Sequence, residues 1–326
     1  MLGTHHKARL LCFALVLCAS GQAAAQYDFV GVRAMGMGEA RRALATGAEG
    51  ILTNPSGMSL TRGYSIEAAY AFRIEDLGHT VNISIADSIT SKVAAGLYYS
   101  FVYGNPKLGR VNWAGGAIDN AIATRTGHAT GLVLSLPLGE KFIIGAAVKY
   151  FHFDTTLPLP AGALPSTLTL DSVNGITFDV SLLLRVADKF HITAIGQNLW
   201  DHSSRETPLT LGLGIAVIPV KTFAITFDTA VNFTGYRNYL GLDPITGQAL
   251  TSSRITARLG PGLEFTAGGK VPIRAGVVYD SALSSTYLTA GLGYISPSFG
   301  VDLSYRGKVA GGVENTLAVS LRIFVN

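Results

Sequence analysis

Beyond its first 25 residues the sequence lacks any apolar run long enough to cross a membrane as a helix, and charged residues make up only 14% of the chain. A membrane-spanning helix needs about 20 consecutive apolar residues. The mean hydropathy is nevertheless +0.35. An apolar chain without long apolar runs is typical of a transmembrane β-barrel, in which lipid-facing and lumen-facing residues alternate along each strand.

Cysteine is also scarce: the sequence has two, Cys12 and Cys18, both near the N-terminus. Lys7 and Arg9 precede a short apolar run, which is followed by small residues. This order is typical of a secretory signal peptide, so we predict that residues 1–25 are removed. The mature chain then carries no thiol for disulfide formation, metal binding or thiol catalysis.

The charge balance gives no support to nucleic acid as a partner. Of the 25 lysines and arginines, Lys7 and Arg9 lie in the predicted signal peptide, which leaves 23 against 21 acidic residues. The mature histidines are scattered and have no carboxylates at metal-ligand spacing. The polar segment 201–204 combines Asp, His and Ser and is interpreted as an external loop. We therefore predict no metal, no cofactor, no catalytic residues and no enzymatic activity.

Alternation is clearest in the C-terminal segment 316–325, where every second residue is apolar. Successive side chains of a strand point to opposite faces, so one set faces lipid and the other a polar interior. The same pattern recurs over residues 63–326, which predicts a 14-stranded antiparallel, up-and-down transmembrane β-barrel. The predicted strands are 64–73, 79–87, 92–103, 128–137, 141–153, 175–186, 189–198, 207–218, 221–232, 253–266, 270–280, 285–295, 298–307 and 314–325.

The connections between these segments are sorted by length. Tight links such as 138–141 and 268–270 alternate with connections that include the long links 104–127, 154–174 and 233–252. Outer-membrane barrels have short periplasmic turns and longer external loops, so the long links are predicted to be external. Aromatic residues near both ends of the strands favour interfacial girdles, although aromatics also favour strands in general.

The polar faces of the predicted strands carry charges of both signs. The predicted lumen charges are Glu67, Lys149, Asp179, Arg185, Asp228, Arg258, Glu264, Arg274, Asp280, Asp302, Arg306 and Arg322. An ion-selective pore would show one dominant sign. This balance therefore favours ion pairs that fix a plug inside the lumen, and a solvated wall is the alternative.

Residues 26–62 do not alternate and are rich in small residues, so we predict that they fill the barrel as an N-terminal plug. They contain Gly31-Val32-Arg33-Ala34-Met35-Gly36-Met37-Gly38-Glu39-Ala40 and then Asn54-Pro55-Ser56-Gly57-Met58. These stretches resemble the N-terminal hatch of the FadL/TodX outer-membrane transporters of hydrophobic compounds and their PorV-like relatives. Downstream stretches, such as Ile195-Gly196-Gln197-Asn198-Leu199, resemble the same family, so the resemblance covers most of the mature chain.

The resemblance implies an outer-membrane protein of a Gram-negative bacterium that passes an apolar ligand, of the long-chain fatty acid type, under control of the hatch. It places hatch or gate residues at Gly36, Gly38, Asn54, Pro55 and Gly57. Arg41 and Arg42 depart from the family pattern and are included in the predicted gate because they could pair with the lumen charges. It also implies a lateral opening in the third strand. Gly96, Gly104 and Pro106 are the candidates for that break, because glycine tolerates unusual backbone angles and proline lacks a donor. The alternative for Gly96 is an ordinary inward glycine.

Two other functions remain open at this point. A PorV-like barrel would bind or escort secreted proteins, and a structural barrel would keep its lumen closed. The expected partners are outer-membrane lipid, an apolar small molecule and the barrel-assembly machinery, with a secreted protein in the PorV-like alternative. Apolar loop residues are interpreted as an external ligand patch; they are Leu157, Leu159, Ala161, Leu164 and Leu168.

Overall fold

A computed structural model describes residues 29–108, 111–113, 115–163, 165–200, 207–234, 236–242, 249–252, 255–309 and 314–325. The strands are β1 Tyr64–Arg73, β2 Gly78–Asp87, β3 Ala94–Gly104, β4 Val111–Trp113, β5 Gly116–Ile118, β6 Thr124–Leu138, β7 Phe142–Pro158, β8 Thr167–Ala187, β9 Phe190–Gln197, β10 Thr210–Val220, β11 Phe223–Asn232, β12 Tyr236–Leu242, β13 Ala249–Ser252, β14 Thr256–Ala267, β15 Val271–Asp280, β16 Ser285–Ile295, β17 Phe299–Lys308 and β18 Asn315–Val325. The predicted signal peptide lies outside the described residues.

Fourteen of these strands form a closed antiparallel barrel, and two hairpins, β4–β5 and β12–β13, lie in its connections. The barrel closes where β1 pairs with β18, from Tyr64 opposite Val325 to Arg73 opposite Thr316. The predicted number and order of barrel strands are confirmed.

The two faces of the wall have opposite character. On β6, Leu134 points outward and is 43% exposed, whereas its neighbour Ser135 points inward and is 1% exposed. Apolar side chains cover the outer face in the same alternating manner from β1 to β18. Exposed aromatics lie near both rims, among them Tyr150 and Tyr279 toward the loops and Phe142 toward the turns. This is the surface of a barrel that spans a bilayer.

The long link predicted over 154–174 is largely strand. β7 and β8 stay paired as far as Pro158 and Thr167, with a register shift between Thr155 and Thr156. Beyond the bilayer a hairpin no longer separates lipid from lumen, so its sequence need not alternate as a wall strand does. The backbone hydrogen bonds nevertheless continue the ladder there.

The external patch expected from the apolar loop residues is not formed by Leu157 and Leu168. Leu157 is 1% exposed and belongs to an apolar cluster with Leu108 and Val111, against which Leu168 packs. The cluster joins the β4–β5 hairpin to the external end of β7 and β8, so these side chains stabilise the loops. Leu164 lies outside the described residues.

Residues 29–62, called the internal segment below, lie inside the barrel. The segment contains helix α1, Val32–Gly36, helix α2, Ala48–Thr53, and a 3₁₀ turn, Pro55–Ser59. Most of its side chains are buried. Helix α1 contacts β15 to β18, whereas α2 contacts β1 to β3 and the turn contacts β3 and β6 to β8. In the described part of the chain, no helix has the length and apolar character needed to cross a membrane.

Candidate functional site

The internal segment approaches the β14–β17 wall through its backbone. Gly38 has φ +66°, and a Cβ there would lie within 3 Å of the backbone of Val277 and Pro261. A Cβ at Gly36 would lie 2.7 Å from Ser304 Oγ. The Gly38 N–H donates to Thr289 Oγ1 at 2.9 Å. Glycine is required at Gly38 both for the backbone angle and for this approach.

The wall itself is adapted to this contact. The cross-strand pairs Leu259–Tyr279 and Gly262–Gly276 of β14 and β15 flank two positions without a pair, where β14 carries Pro261. Proline has no N–H to donate to a ladder. The Gly38 carbonyl contacts Gly260 at this place. The internal segment therefore covers the interruption in the β14–β15 ladder from the lumen side.

A large network of buried charges begins in the internal segment. Arg33 Nη2 lies 2.7 Å from Glu49 Oε2, and Arg41 Nε lies 2.8 Å from Glu49 Oε1, although neither contact has the alignment of a hydrogen bond. Arg41 Nη1 donates to Glu264 Oε2 on β14 at 2.9 Å. Burial opposes the charge of Arg41, but Glu49 and Glu264 outweigh it and raise the Arg41 pKa.

The network continues along the inner face of the barrel wall. Arg274 donates to Glu264 Oε2 and to Asp302 Oδ1, each at 2.6 Å. Arg322 donates to Asp302 Oδ2 at 2.7 Å and lies 3.3 Å from Glu67 Oε2. Four arginines and four carboxylates thus alternate from α1 to β1, as the balance of lumen charges suggested. Such buried charges are tolerated because each has an opposite partner.

A second group of charges surrounds Glu39 and is called the Glu39 cluster. Arg306 Nη1 donates to Glu39 Oε1 at 2.7 Å, and Arg258 Nη1 lies 3.5 Å from Glu39 Oε2. Arg258 Nε also donates to Asp280 Oδ2 at 2.8 Å, and Arg306 lies 3.7 Å from Glu314. Glu39 has φ +61°, so this network holds a residue in the left-handed region.

The remaining predicted lumen charges form separate pairs. Asp228 Oδ2 accepts the backbone N–H of Arg42 at 2.8 Å, and Arg42 Nη1 lies 3.5 Å away. Lys149 Nζ lies 2.6 Å from Asp179 Oδ1. Arg185 lies apart from the networks at the turn-side rim, where its half-exposed side chain is 3.8 Å from Asp188.

Asn54 joins the internal segment to the opposite wall. Its amide donates to the Arg42 carbonyl at 2.7 Å and to Thr193 Oγ1 on β9 at 3.0 Å. Its Oδ1 accepts from Ser56 Oγ at 2.7 Å. The amide thus bridges two parts of the segment and the wall, and only the oxygen acts within the turn that Pro55 begins. Of the other predicted gate residues, Gly57 lies against the Ala45 carbonyl.

The predicted break in the third strand is not present in this conformation. β3 pairs without interruption with β2 and with β6 on both sides of Gly96. A Cβ on Gly96 would lie 2.7 to 2.9 Å from side-chain atoms of Ile51 and Met58. Gly96 makes room for the internal segment, which explains the glycine without an opening. Gly104 lies near Arg73 and Asp76, and the Pro106 carbonyl accepts from Ala123 N–H.

The histidines of the described residues lie at separate places in the barrel. His79 and His128 lie on the outer face, where their Nδ1 atoms hydrogen-bond to Tyr70 and Tyr99 at 2.7 and 2.6 Å. His191 is buried beside the Ala43 carbonyl. Within the described residues, no three His, Asp or Glu side chains are arranged to hold a metal ion. His202 and its neighbours at 201–204 lie outside the described residues.

A cavity of about 160 Å³ lies on the loop side of the internal segment. Its apolar lining includes Ile51, Leu52, Tyr98, Ala129, Phe151 and Phe153. The rings of Phe151 and Phe153 stack with centroids 6.2 Å apart, and the Arg125 guanidinium lies 5.2 Å from the Phe153 centroid. The cavity also reaches Gly38 and Gly260, at the interrupted β14–β15 ladder.

The aromatic lining was not among the residues predicted from the sequence. Tyr98, Phe151 and Phe153 occupy inward positions of β3 and β7, on the same faces as Ser100 and Lys149. A large aromatic side chain on an otherwise small or polar face is the signal that would have indicated an apolar site in the lumen. The charged residues Arg33 and Glu39 were also not singled out.

The fold is similar to that of solved channel structures. The CymD monoaromatic hydrocarbon channel has a TM-score of 0.69 and 16% identity, with 93% of this chain and 99% of that chain covered. The Ralstonia pickettii toluene transporter TbuX has a TM-score of 0.67 and 13% identity over 91% and 98%. A Pseudomonas aeruginosa FadL homologue has a TM-score of 0.65 and 12% identity over 94% and 99%.

No protein-family model matches the sequence, and no curated protein is similar to it in sequence. At these low identities the structural likeness concerns the fold. The chain has the FadL/TodX-type barrel fold, so the fold that the sequence resemblance implied is confirmed.

Proposed function

We propose that the protein is an outer-membrane channel for small hydrophobic compounds and that the internal segment is its gate. The observation that carries this proposal is the cavity with an apolar lining between the internal segment and β3, β6 and β7. Apolar surface that remains open inside a barrel is unfavourable in water, at about 25 cal/mol per Å². A hydrophobic ligand removes that cost. The FadL/TodX-type fold supports the same function.

The size of the cavity favours a compact ligand. An apolar cavity of about 150 Å³ is sufficient for benzene, and this cavity has a volume of about 160 Å³. An extended acyl chain would need the internal segment to move before it fitted. We therefore propose single-ring or similarly compact compounds as ligands in preference to long-chain fatty acids.

The gate consists of the contacts that hold the internal segment across the lumen. Asn54 is fully buried and connects the segment to β9 through Thr193. Ser56 N donates to Ser181 Oγ on β8 at 2.9 Å, and Ser135 Oγ on β6 donates to the Ser56 carbonyl at 3.1 Å. Passage of a ligand toward the periplasm requires that these few hydrogen bonds open, so Asn54 and Pro55 form the proposed gate.

The test is the double variant Asn54→Ala/Pro55→Ala, reconstituted as full-length protein. We expect an intact barrel, recognised by its altered migration without boiling, but higher conductance for small hydrophilic ions and faster uptake of toluene into liposomes. Thr61→Ala is the control, since Thr61 is an exposed position of the same segment. Unchanged conductance and uptake in an intact double variant would contradict the gate.

Experiments on whole cells test the proposal that the protein is an outer-membrane channel. The protein should fractionate with the outer membrane, and cells without the gene should take up toluene more slowly than the parent. A gene deletion that leaves uptake unchanged but alters the set of secreted proteins would favour the protein-escorting alternative. A deletion without either effect would favour a closed structural barrel.

A further inference from the structure

The cavity has a polar wall beside its apolar wall. Gln197 and Asn198 lie at the end of β9, Thr210 begins β10 and Asn232 ends β11, and all four line the cavity. The apolar residues come from the internal segment and from β3, β6 and β7. A ligand in this cavity therefore meets hydrocarbon along one arc of the barrel and amide and hydroxyl groups along the next.

The charged groups of the cavity are paired with each other. Lys149 Nζ lies 2.6 Å from Asp179 Oδ1 and donates to Asn198 Oδ1 at 2.7 Å. Arg42 is paired with Asp228 through its backbone N–H and its guanidinium. The Glu39 cluster neutralises Arg258 in the same way. Among the described residues that line the cavity, an ionic head group would find no unpaired opposite charge, and it would lose its hydration on entry.

Two amide side chains retain hydrogen-bonding capacity. Asn232 Oδ1 accepts from Thr210 Oγ1 at 2.6 Å, but the Asn232 amide nitrogen has no partner among the described residues. The side chain of Gln197 likewise makes no hydrogen bond within the described part of the chain. Both residues are half-buried. A primary amide can donate and accept, so the polar wall can pair with a neutral hydroxyl or carbonyl.

We infer, on the basis of the proposed channel function, that the ligand is a neutral compound with a compact apolar body and one hydroxyl or carbonyl group, such as a phenol or a small ketone. The apolar body packs on Tyr98, Phe151 and Phe153. Its polar group hydrogen-bonds to Gln197 and Asn232. Pockets of this type bind through apolar contact and obtain orientation from a few polar groups.

The test compares three ligands with the same ring: phenol, toluene and benzoate. Binding to the full-length protein in nanodiscs is measured at pH 7 by equilibrium dialysis, with protein-free nanodiscs subtracted. One added neutral hydrogen bond should favour phenol over toluene by about 3- to 10-fold. Benzoate is ionised at this pH and should bind most weakly.

The near-isosteric variant Gln197→Leu/Asn232→Leu should lose the preference for phenol and keep its affinity for toluene. Leu52→Ala is the control: Leu52 lines the cavity on its apolar side, so this variant should weaken phenol and toluene alike. Far-UV circular dichroism confirms that each variant is folded.

The outcomes separate this inference from the channel proposal. Equal binding of phenol and toluene to the parent protein, or a preference for phenol that survives the double variant, would overturn the inference and leave a channel for hydrocarbons. Tightest binding of benzoate would overturn it in favour of an anionic ligand. Absence of binding by all three would overturn the proposed function together with the inference.

Discussion

The internal segment meets the two sides of the barrel in different ways. Toward β14–β18 it is held by ion pairs and by backbone contacts, as at Arg41 and Gly38. Toward β3–β9 it is held by apolar side chains and by a few neutral hydrogen bonds around Asn54 and Ser56. The cavity lies mainly on this second side.

The difference indicates which part of the segment is able to move. Separating buried ion pairs leaves charges without partners, which is strongly unfavourable, whereas neutral hydrogen bonds contribute about 0.5–1.5 kcal/mol each. Helix α1 and residues up to Arg41 are therefore expected to stay fixed. The Pro55–Ser59 turn is expected to shift when the gate opens, whereas α2 stays paired with Arg33 and Arg41 through Glu49.

The largest effect is expected from breaking the charged side. Arg274→Ala removes the partner shared by Glu264 and Asp302, and the Arg274 side chain is 1% exposed. We expect a loss of about 3–5 kcal/mol of unfolding free energy, measured by urea titration in detergent. Arg185→Ala is the matched control at an exposed rim pair, where a loss of at most about 1 kcal/mol is expected. Equal losses would show that the buried network stabilises the protein no more than a rim pair does.

A smaller effect is expected from the backbone contact. Gly38→Ala places a Cβ against Val277 and Pro261 at positive φ, whereas Gly139→Ala in the β6–β7 turn has φ +91° but no atom within 4 Å. The shared backbone strain costs about 1–2 kcal/mol, so a larger loss for Gly38→Ala isolates the contact. Thermal unfolding measures both variants, and limited proteolysis reports release of the segment. Equal stability of the two variants would show that the close contact of Gly38 with Val277 and Pro261 does not affect the unfolding free energy.

The smallest effect is expected on the apolar side. Gly96→Ala should cost about 1–3 kcal/mol by overpacking against Ile51. Ile51→Ala removes both Ile51 atoms concerned, Cγ1 and Cδ1, so the double variant should be at least about 0.5 kcal/mol more stable than additivity predicts. Urea titration of all four proteins completes the cycle. Additive stabilities, together with changed toluene uptake in Gly96→Ala alone, would instead support a lateral opening at Gly96.

The wall of the barrel was predictable because lipid and lumen impose opposite demands on alternate residues. That contrast appears in β18, where Leu321 is exposed to lipid and Ser320 is buried. The hairpins β4–β5 and β12–β13 lie in the connections, where no such contrast acts, so the sequence pattern did not reveal them. The same reason explains the unexpected extension of β7 and β8.

The sequence predicted which charged residues face the lumen, but it did not predict which of them form ion pairs with each other. The sequence showed charges of both signs facing inward, but Arg41 and Glu264 are separated by 223 positions. Which charges meet depends on the tilt and stagger of the strands, and on the path of the internal segment. The gap in the β14–β15 ladder also depends on that path, although Pro261 was visible in the sequence.

The pairing of β1 with β18 makes closure of the barrel depend on its last strand. All ten residues of β1 find their partners in the last strand, up to Val325. Until that strand arrives, β1 is an open edge able to pair with other chains, and pairing across the whole sequence is intrinsically slow. The internal segment precedes β1, so we expect it to enter the lumen before the wall is sealed by the eleven residues of β18.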